Sequence, residues 1–518
     1  MAGSRGGALS GNRAGNRAGA GATTRWAALT RRARRPGISL AAVLIGAACG
    51  GGLYAGSLGL NRALTPVPAP WGEGQVTNGS VAFGTDQVML TVEHDIEAEN
   101  QNVTARGRYE SVVLMDPFTF QPGGTVSRQR MDDELIGGYL AQRAANQASG
   151  GTGIQLLLAN EGTSDQEFAG QAVQQVESHE AADRIVAVVG MGLSLKSTQD
   201  AATALAADEM AMFGAVTTAD QFNGNNYQGF FFQVVPDVSD QVHALSQYLS
   251  GQLPSRGSGQ FVALVSDAAA TDIYSKNLMN DFKTALVSQA RVQPYSFTPD
   301  ASGAATQYAT ITQDVCGQPE VKGVKPRPFV LYAGRAAALP DLIQQFQQSA
   351  ACAGETVTIV TGSDANGLLS TVTGPQPGQA GATVQVDFSD IEDVSALSPG
   401  YCGDSAAYLA GTEEGDARGD EWAMATFNAV ISAGNAIIRS GLSAAKTEVA
   451  TSAGGPSRAG DLPGATGQGA ASRLSFTSGG QLKNAAIPVD QFAGGLPAVR
   501  LWSSSPSAKA SGAACAPA

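Results

Sequence analysis

The chain has few of the residues that most enzymes use for catalysis. Its 518 residues include three histidines, His94, His179 and His243, and five cysteines without a Cys-x-x-Cys pair. The histidines lie in segments with a helical pattern and form no cluster of metal ligands. The arrangement Gly-x-Ser-x-Gly, which marks the nucleophile of many hydrolases, does not occur. These absences speak against a hydrolase, a thioredoxin-like enzyme and a zinc site.

Two weaker signals of an enzyme or a metal site are incomplete. Gly190-x-Gly192 follows a predicted strand and precedes a predicted helix, but Leu195 stands where a dinucleotide-binding fingerprint has its third glycine. The acidic stretch Glu413–Glu421 lacks the spacing of a calcium-binding loop, so we interpret it as a solvated charged loop. We therefore predict that the chain is not an enzyme and uses no cofactor or metal.

Acidic residues are absent from the first 37 positions, although they dominate the rest of the chain. The whole sequence has a net charge of −13, whereas residues 1–37 carry eight arginines and no acid. Nucleic-acid phosphates would be repelled by the acidic body, so nucleic acid is not an expected partner. Residues 1–37 are rich in glycine and alanine and are predicted to form a basic, disordered cytoplasmic arm.

The segment Ile38–Leu60 carries no charged residue. As a helix its length would be about 35 Å, enough to cross the hydrocarbon core of a bilayer. The arginines before it place the amino terminus in the cytoplasm. We therefore predict a single-pass anchor in the cell membrane, with the main body outside. A cleaved signal peptide and a lipoprotein attached through Cys49 remain alternatives. Residues 61–85, with three prolines, are predicted to be a linker.

The length of the chain exceeds what one hydrophobic core usually contains, so two lobes are expected. Short apolar runs alternate with helix-length segments twice, with a break near Val235–Ser239. This pattern predicts two α/β lobes, each with a parallel sheet covered on both faces, joined by a hinge. The predicted parts are lobe 1 at 86–236, lobe 2 at 237–365, returning segments that complete both lobes at 366–502, and a disordered tail at 503–518.

Two local features of the body are predicted from residue pattern. Cys316 and Cys352 bracket one strand–helix unit, and the oxidising compartment outside the membrane would permit a disulfide between them. Arg473–Phe476 and Ile487–Phe492 flank Gly479-Gly480 and predict a hairpin-like pair of strands.

The stretch Arg184–Asp220 carries the candidate site. An apolar strand, Ile185–Val189, is followed by a loop rich in small and hydroxyl residues, a helical pattern and a second strand, Met210–Val216. Ligands of such sheets collect beyond the carboxyl ends of the strands. The hydroxyl residues at these ends are therefore candidate ligand contacts, although such residues also cap helices and stabilise turns. They are Ser194, Ser197, Thr217 and Thr218.

Seven segments with characteristic residue patterns follow one another along the chain. They are VAVVG with its Ser/Thr loop, MAMFGAVTTADQF, GFFFQVVPDVSDQVHALSQYL, FVALVSD, FVLYAGR, VTIVTGSDA and RLSFTSGGQLKNAAIPVDQF. In order and spacing they resemble the type I periplasmic binding proteins of the leucine/isoleucine/valine-binding kind. The resemblance covers about Tyr109–Phe492. Composition and cysteines are similar to those of membrane-anchored actinobacterial members.

The resemblance implies two Rossmann-like lobes joined by three crossovers, which close over a small ligand and deliver it to an ABC permease. It matches Ser197 or Ser194 to a hydroxyl that binds a ligand carboxylate. Thr217 and Thr218 match a second carboxylate-binding loop, and Tyr274 matches an aromatic residue of the second lobe.

The chain departs from the amino-acid-binding pattern after Tyr332. An acid that holds the ligand ammonium is expected there, but Arg335 follows Ala333-Gly334. Asp364 or Asp267 could replace this acid, whereas Arg335 could favour an anionic ligand. The expected ligand is therefore amino-acid-like or a carboxylate. A membrane-tethered sensor or interaction ectodomain of the same fold, with a membrane partner other than a permease, is the alternative function.

Overall fold

The computed structural model describes residues 72–83, 87–148, 152–269, 271–299, 304–321, 323, 325, 327–368, 381–394, 397–409, 420–441, 446–454, 474–483, 485–493 and 499–504. All of them belong to one compact unit, Leu53–Ala518. The predicted arm and anchor, and nearly all of the predicted tail, lie outside these residues. Within the described part of the chain, no helix is both long and apolar enough to span a bilayer.

The first lobe is built around a six-stranded sheet with the order β1-β3-β2-β4-β5-β6. Its strands are parallel except β1, which runs antiparallel to β3 at one edge. The elements, in chain order, are β1 (Val76–Thr77), α1 (Gln87–Ala105), β2 (Tyr109–Asp116), α2 (Arg128–Ala148), β3 (Gly153–Asn160), α3 (Ala169–Asp183), β4 (Ile185–Gly190), α4 (Lys196–Ala207), β5 (Ala211–Gly214) and β6 (Phe231–Gln233).

The second lobe follows with the same alternation of strands and helices. It contains α5 (Val238–Tyr248), β7 (Val262–Asp267), α6 (Ile273–Leu286), β8 (Val292–Phe297), α7 (Ala304–Cys316), β9 (Phe329–Ala333), α8 (Leu339–Gln348), β10 (Thr356–Thr361) and β11 (Thr383–Ser389). Short 3-10 turns cover Ala336–Ala338, Ala350–Cys352 and Ser363–Leu368.

The chain then returns to each lobe in turn. The helices α9 (Pro399–Leu409), α10 (Glu421–Ser440) and α11 (Lys446–Gly454) pack on the first lobe, where α9 and α10 contact α2. The strands β12 (Pro488–Ala493) and β13 (Val499–Ser503) complete the second sheet, whose order is β13-β12-β11-β10-β9-β7-β8. The lobes are thus joined by three crossovers, after β6, after β11 and before β12.

Each sheet is covered by helices on both faces, as the continuous apolar runs predict. Val112 and Leu114 of β2 enter one core of the first lobe, whereas Val113 and Met115 enter the core on the opposite face. Such strands alternate between two buried faces and therefore show no polar face in the sequence. The two-lobed α/β prediction is confirmed.

Two details of the predicted sheets are wrong. Both sheets are mixed rather than parallel. In the first sheet β1 runs antiparallel to β3, and in the second sheet β12 runs antiparallel to β11 and to β13. The predicted pairing of Arg473–Phe476 with Ile487–Phe492 does not form among the described residues, where Phe476 pairs with Leu482 and β12 pairs with β11 and β13. An apolar pattern marks a strand but does not specify its partner, so the free edge of the second sheet decided the pairing.

The predicted disulfide between Cys316 and Cys352 is present. It links the end of α7 to the 3-10 turn after α8, and both residues are buried in the core of the second lobe. The bond closes a loop with a sequence separation of 36 residues.

Replacing both cysteines by alanine is expected to lower the free energy of unfolding by about 3–4 kcal/mol, because the unfolded chain regains the entropy of the open loop. Denaturant unfolding of the two proteins measures this difference. Mass spectrometry of the unreduced parent protein should show the two peptides joined, and two free thiols at these positions would contradict the assignment.

Candidate ligand site between the lobes

Both sheets change the direction of strand order at one point. In the first lobe β2 is flanked by β3 and β4, and in the second lobe β7 is flanked by β8 and β9. Ligands of such sheets bind in the crevice beyond the carboxyl ends of the strands at this switch point. The ends concerned are Asp116 and Gly190 in the first lobe, and Asp267 and Ala333 in the second.

The loop after β4 is held in place by buried polar groups of its own lobe. Gly192 N donates to Asp116 Oδ1 at 2.7 Å, and Leu193 N donates to Gln166 Oε1 at 3.1 Å. Gly190 has a φ of 86°, and a Cβ there would lie 2.0 Å from Asp116 Oδ2, so only glycine fits. Burial raises the pKa of Asp116 and of the neighbouring Glu161 well above the usual range.

The two candidate serines occupy different environments. Ser194 is buried, and its Oγ accepts a hydrogen bond from Ala219 N at 3.1 Å, which ties the loop after β4 to the loop after β5. Ser197 lies half-buried in the first turn of α4 and lines neither of the cavities between the lobes described below.

The two candidate threonines also differ. Thr217 is fully buried against Gly214, and its Oγ1 has no hydrogen-bond partner in the described part of the chain. Thr218 is 4% exposed and lines a small cavity between the lobes. Of the four candidate hydroxyls in the first lobe, Thr218 therefore faces the second lobe directly.

The backbones of the two lobes meet beside this cavity. Ile273 N and Tyr274 N, in the first turn of α6, donate to the Ser194 carbonyl at 3.1 and 3.3 Å. Lys196 N donates in the opposite direction to the Thr271 carbonyl at 3.0 Å. The loop that carries the predicted serines is therefore in direct contact with the start of α6.

On the side of the second lobe, Arg335 is already paired. Its Nε and Nη2 donate to the two carboxylate oxygens of Asp272 at 3.1 and 2.9 Å, and its guanidinium lies 4.6 Å from the ring centre of Tyr274. Asp272 also caps α6 by accepting from Ser275 N. Arg335 thus has a carboxylate partner within its own lobe.

Asp364 joins the lobes at the centre. Its Oδ2 accepts from Ala336 N at 2.6 Å within the second lobe, and its Oδ1 lies 3.4 Å from Nη1 of Arg130 in the first lobe. The guanidinium of Arg130 lies 4.2 Å from the ring centre of Trp422. Asp364, Trp422 and Tyr274 line the small cavity, whose volume of about 10 Å³ is no more than about one water molecule needs.

A larger cavity of about 550 Å³ lies next to this centre. It is lined by the loops that follow three strands of each lobe, namely β2, β3 and β4, and β7, β8 and β9. Arg335 and Leu193 line both cavities, so the two are neighbours. The lining residues include Thr125, Ser164, Asp165, Leu195, Asp267, Asp272, Tyr308 and Asp341.

The sequence reasoning missed Arg130, Asp272 and Trp422. Asp272 carries a usable signal, because an aspartate directly before an amphipathic helix is a typical N-cap. Arg130 lies in the charged stretch Arg128–Glu134, and such a stretch is typical of a solvated first turn of a helix. Nothing in its spacing indicates burial.

A pair of carboxyl groups lies at a second contact between the lobes. Asp220 N donates to Asn277 Oδ1 of α6 at 3.0 Å, and Asp220 Oδ1 accepts from Ser239 N at 2.9 Å. Burial, together with the nearby carboxylates of Asp281 and Asp237, raises the pKa of Asp220 to about 7. Burial also raises the pKa of Asp281. Below about pH 7 the two carboxyl groups therefore share a proton.

This pair predicts a loss of stability as the pH rises. The folded chain keeps the Asp220 proton up to about pH 7, whereas an unfolded aspartate releases it near about pH 4, so ionisation opposes folding between these values. Asp220→Asn, which keeps the acceptor for Ser239 N, should remove about 1–2 kcal/mol of this loss, since solvent partly screens the pair.

Denaturant unfolding at pH 5 and pH 8 measures the effect, with Asp200→Asn on the surface of α4 as the control. An Asp220→Asn protein whose stability falls between the two pH values as much as that of the parent would contradict the shared proton.

No protein-family model matches the sequence, and no curated protein does. The structure, however, is similar to solved substrate-binding proteins. A leucine-binding protein from Thermotoga maritima matches with a TM-score of 0.57 and 16% identity over 77% of this chain and 99% of its own.

Two further structures match in the same way. An isoleucine complex of a branched-chain amino acid transporter substrate-binding protein from Streptococcus pneumoniae has a TM-score of 0.55 and 15% identity, over 76% of this chain and 99% of its own. A fatty acid ABC transporter substrate-binding protein from Thermomonospora curvata has a TM-score of 0.56 and 13% identity, over 76% of this chain and 91% of its own. The chain therefore has the fold of the type I periplasmic binding proteins.

Proposed function

We propose that this protein is an extracytoplasmic solute-binding protein that captures a small ligand between its lobes for an ABC-type importer, and that it is not an enzyme. The observation that carries the proposal is the cavity of about 550 Å³ at the switch points of both sheets. Its volume falls within the range of small-molecule sites, which is about 300–1,000 Å³. The similar solved structures support the same role.

The proposed mechanism is closure about the three crossovers. Loops of both lobes line the cavity, so a ligand in it gains all its contacts only when the lobes are together. Such a ligand binds the closed form more tightly than the open form and shifts the population toward it. A permease in the membrane would then recognise the closed form.

The charges of the cavity bear on the ligand class. Arg335 is paired with Asp272, whereas Asp165 of the first lobe and Asp341 of the second lobe lie at exposed positions on the same cavity. Carboxylates from both lobes favour a ligand with a positively charged group between them, such as the ammonium of an amino-acid-like solute. A polar ligand of this kind is our first choice for screening.

A ligand screen of the full chain in detergent tests the proposal. Amino acids, small carboxylates, polyamines, peptides and fatty acids are compared by their effect on the thermal unfolding midpoint, which a specific ligand raises by mass action. Ala337→Trp, which adds an indole to the lining of the cavity, should weaken binding of a hit at least tenfold. Ala353→Trp, at an exposed position outside the lining, should leave it unchanged.

Two results would contradict the proposal. A hit that binds equally well to the Ala337→Trp protein would lie elsewhere in the molecule. If a broad library gives no hit, the protein is better explained as a tethered sensor or interaction ectodomain. The direct backbone contact between Ser194 and α6 suits that role as well.

We also propose that the body is tethered outside the cell membrane through Ile38–Leu60. Because this segment has no charge, the full chain should stay in the membrane fraction after an alkaline carbonate wash, and a chain that starts at residue 61 should not. Cys49→Ser should leave the full chain in the membrane. Its release by this substitution would show a lipid anchor instead, and release of the unchanged protein would show a cleaved signal peptide.

A further inference from the structure

Arg130 is a buried cation whose side chain reaches the contact between the lobes. It lies in the first turn of α2, where an arginine is normally solvated, yet it is 4% exposed. Its guanidinium lies 4.2 Å from the ring centre of Trp422, which is the second residue of α10 in the same lobe. An aromatic face of this kind attracts a guanidinium.

The polar edge of the same guanidinium faces the other lobe. Nη1 lies 3.4 Å from Asp364 Oδ1, and Nη2 donates to the Asp364 carbonyl at 3.2 Å. Asp364 is fixed in turn, since its Oδ2 accepts from Ala336 N at 2.6 Å. An indole face on one side and an oriented carboxylate on the other bind a guanidinium in preference to an ammonium.

Arg130 has further acidic neighbours in its own lobe. Glu134 and Glu421 are buried and Asp420 is half-buried. Arg130 lowers the pKa of each of these carboxyl groups, against the larger effect of burial. Arg130 therefore keeps part of its compensation when the lobes separate, whereas Asp364 loses its contact with Arg130. The contact that depends on closure is the one between Arg130 and Asp364.

We propose that Trp422 and Asp364 form a guanidinium site between the lobes, and that the chain fills this site with its own Arg130. The internal occupant bridges the lobes through Asp364, and about 10 Å³ of space remains in the small cavity that Trp422 and Asp364 line. It follows that a free amino acid does not fit at this centre. The inference rests on the proposed function only in assigning the transported ligand to the neighbouring cavity of about 550 Å³.

Arg130→Ala in the full chain, kept in detergent, tests the proposal because it leaves the site without its occupant. Ethylguanidinium, a fragment of the arginine side chain, should bind this variant and raise its unfolding midpoint. Ethylammonium should bind it with at least tenfold lower affinity. Neither compound should affect the parent protein. Arg143→Ala is the matched control, because Arg143 lies on the same helix with its guanidinium 5.6 Å from the ring centre of Tyr139.

Hydrogen exchange reports the closure itself. The amides of Lys196 and Ile273 are bonded across the lobes, so peptides that contain them should exchange at least tenfold faster in Arg130→Ala than in the parent. Ethylguanidinium should restore their protection, which a merely structural role of Arg130 would not explain. Peptides from β3 in the core of the first lobe should be unaffected.

Asp364→Asn keeps the proposal testable if Arg130→Ala does not fold. It leaves Arg130 with its partners in the first lobe and should increase the exchange of the same amides at least fivefold. The proposal is overturned if neither variant changes this exchange, or if Arg130→Ala folds and does not bind ethylguanidinium. These measurements need no transported ligand. They can therefore support the guanidinium site when the ligand screen fails, and they can contradict this site when the ligand screen succeeds.

Discussion

Parallel pairing of buried strands is the constraint on which the rest of this structure depends. Since β2 to β6 and β7 to β11 run parallel, every strand within each set ends at the same edge of its sheet. The loops that follow these strands are therefore collected at one edge in each lobe. With the three crossovers between the lobes, the two edges meet, and the cavity and the buried charges lie between them.

Buried charge is the second feature of this meeting point. A charged group loses its hydration when it is buried and must recover the energy from partners. Arg335 with Asp272 lies within one lobe, whereas Arg130 with Asp364 spans both. Of these two pairs, only the second depends on the position of one lobe relative to the other. The carboxyl pair of Asp220 and Asp281 adds a contact whose strength depends on the proton it holds.

A large part of the fold could be predicted from residue pattern. The runs Ile185–Val189 and Met210–Val216 are apolar without alternation, which indicates strands buried on both faces, and the structure has strands there. The N-cap role of Asp237 was also predictable, and its carboxylate accepts from Asp240 N at 2.9 Å. The antiparallel return of β12 was not, because a strand pattern contains no information on its partner.

The site shows the same division. The hydroxyl residues after β4 and β5 could be named in advance, yet of these four only Thr218 lines either of the two cavities described between the lobes. Whether such a hydroxyl faces its own lobe or the cleft depends on the backbone dihedral angles of the loop, which the residue type alone does not specify.

The sequence by itself determined the alternation of strands and helices, the division into two lobes and the pair Cys316–Cys352, because each rests on local periodicity or on few possible partners. The tertiary structure alone decided that Arg130 leaves the solvent to meet Trp422 and Asp364. These residues are separated by 292 and 234 positions along the chain. No local pattern reports such a contact, because the energy that buries the guanidinium comes from groups that only the fold brings together.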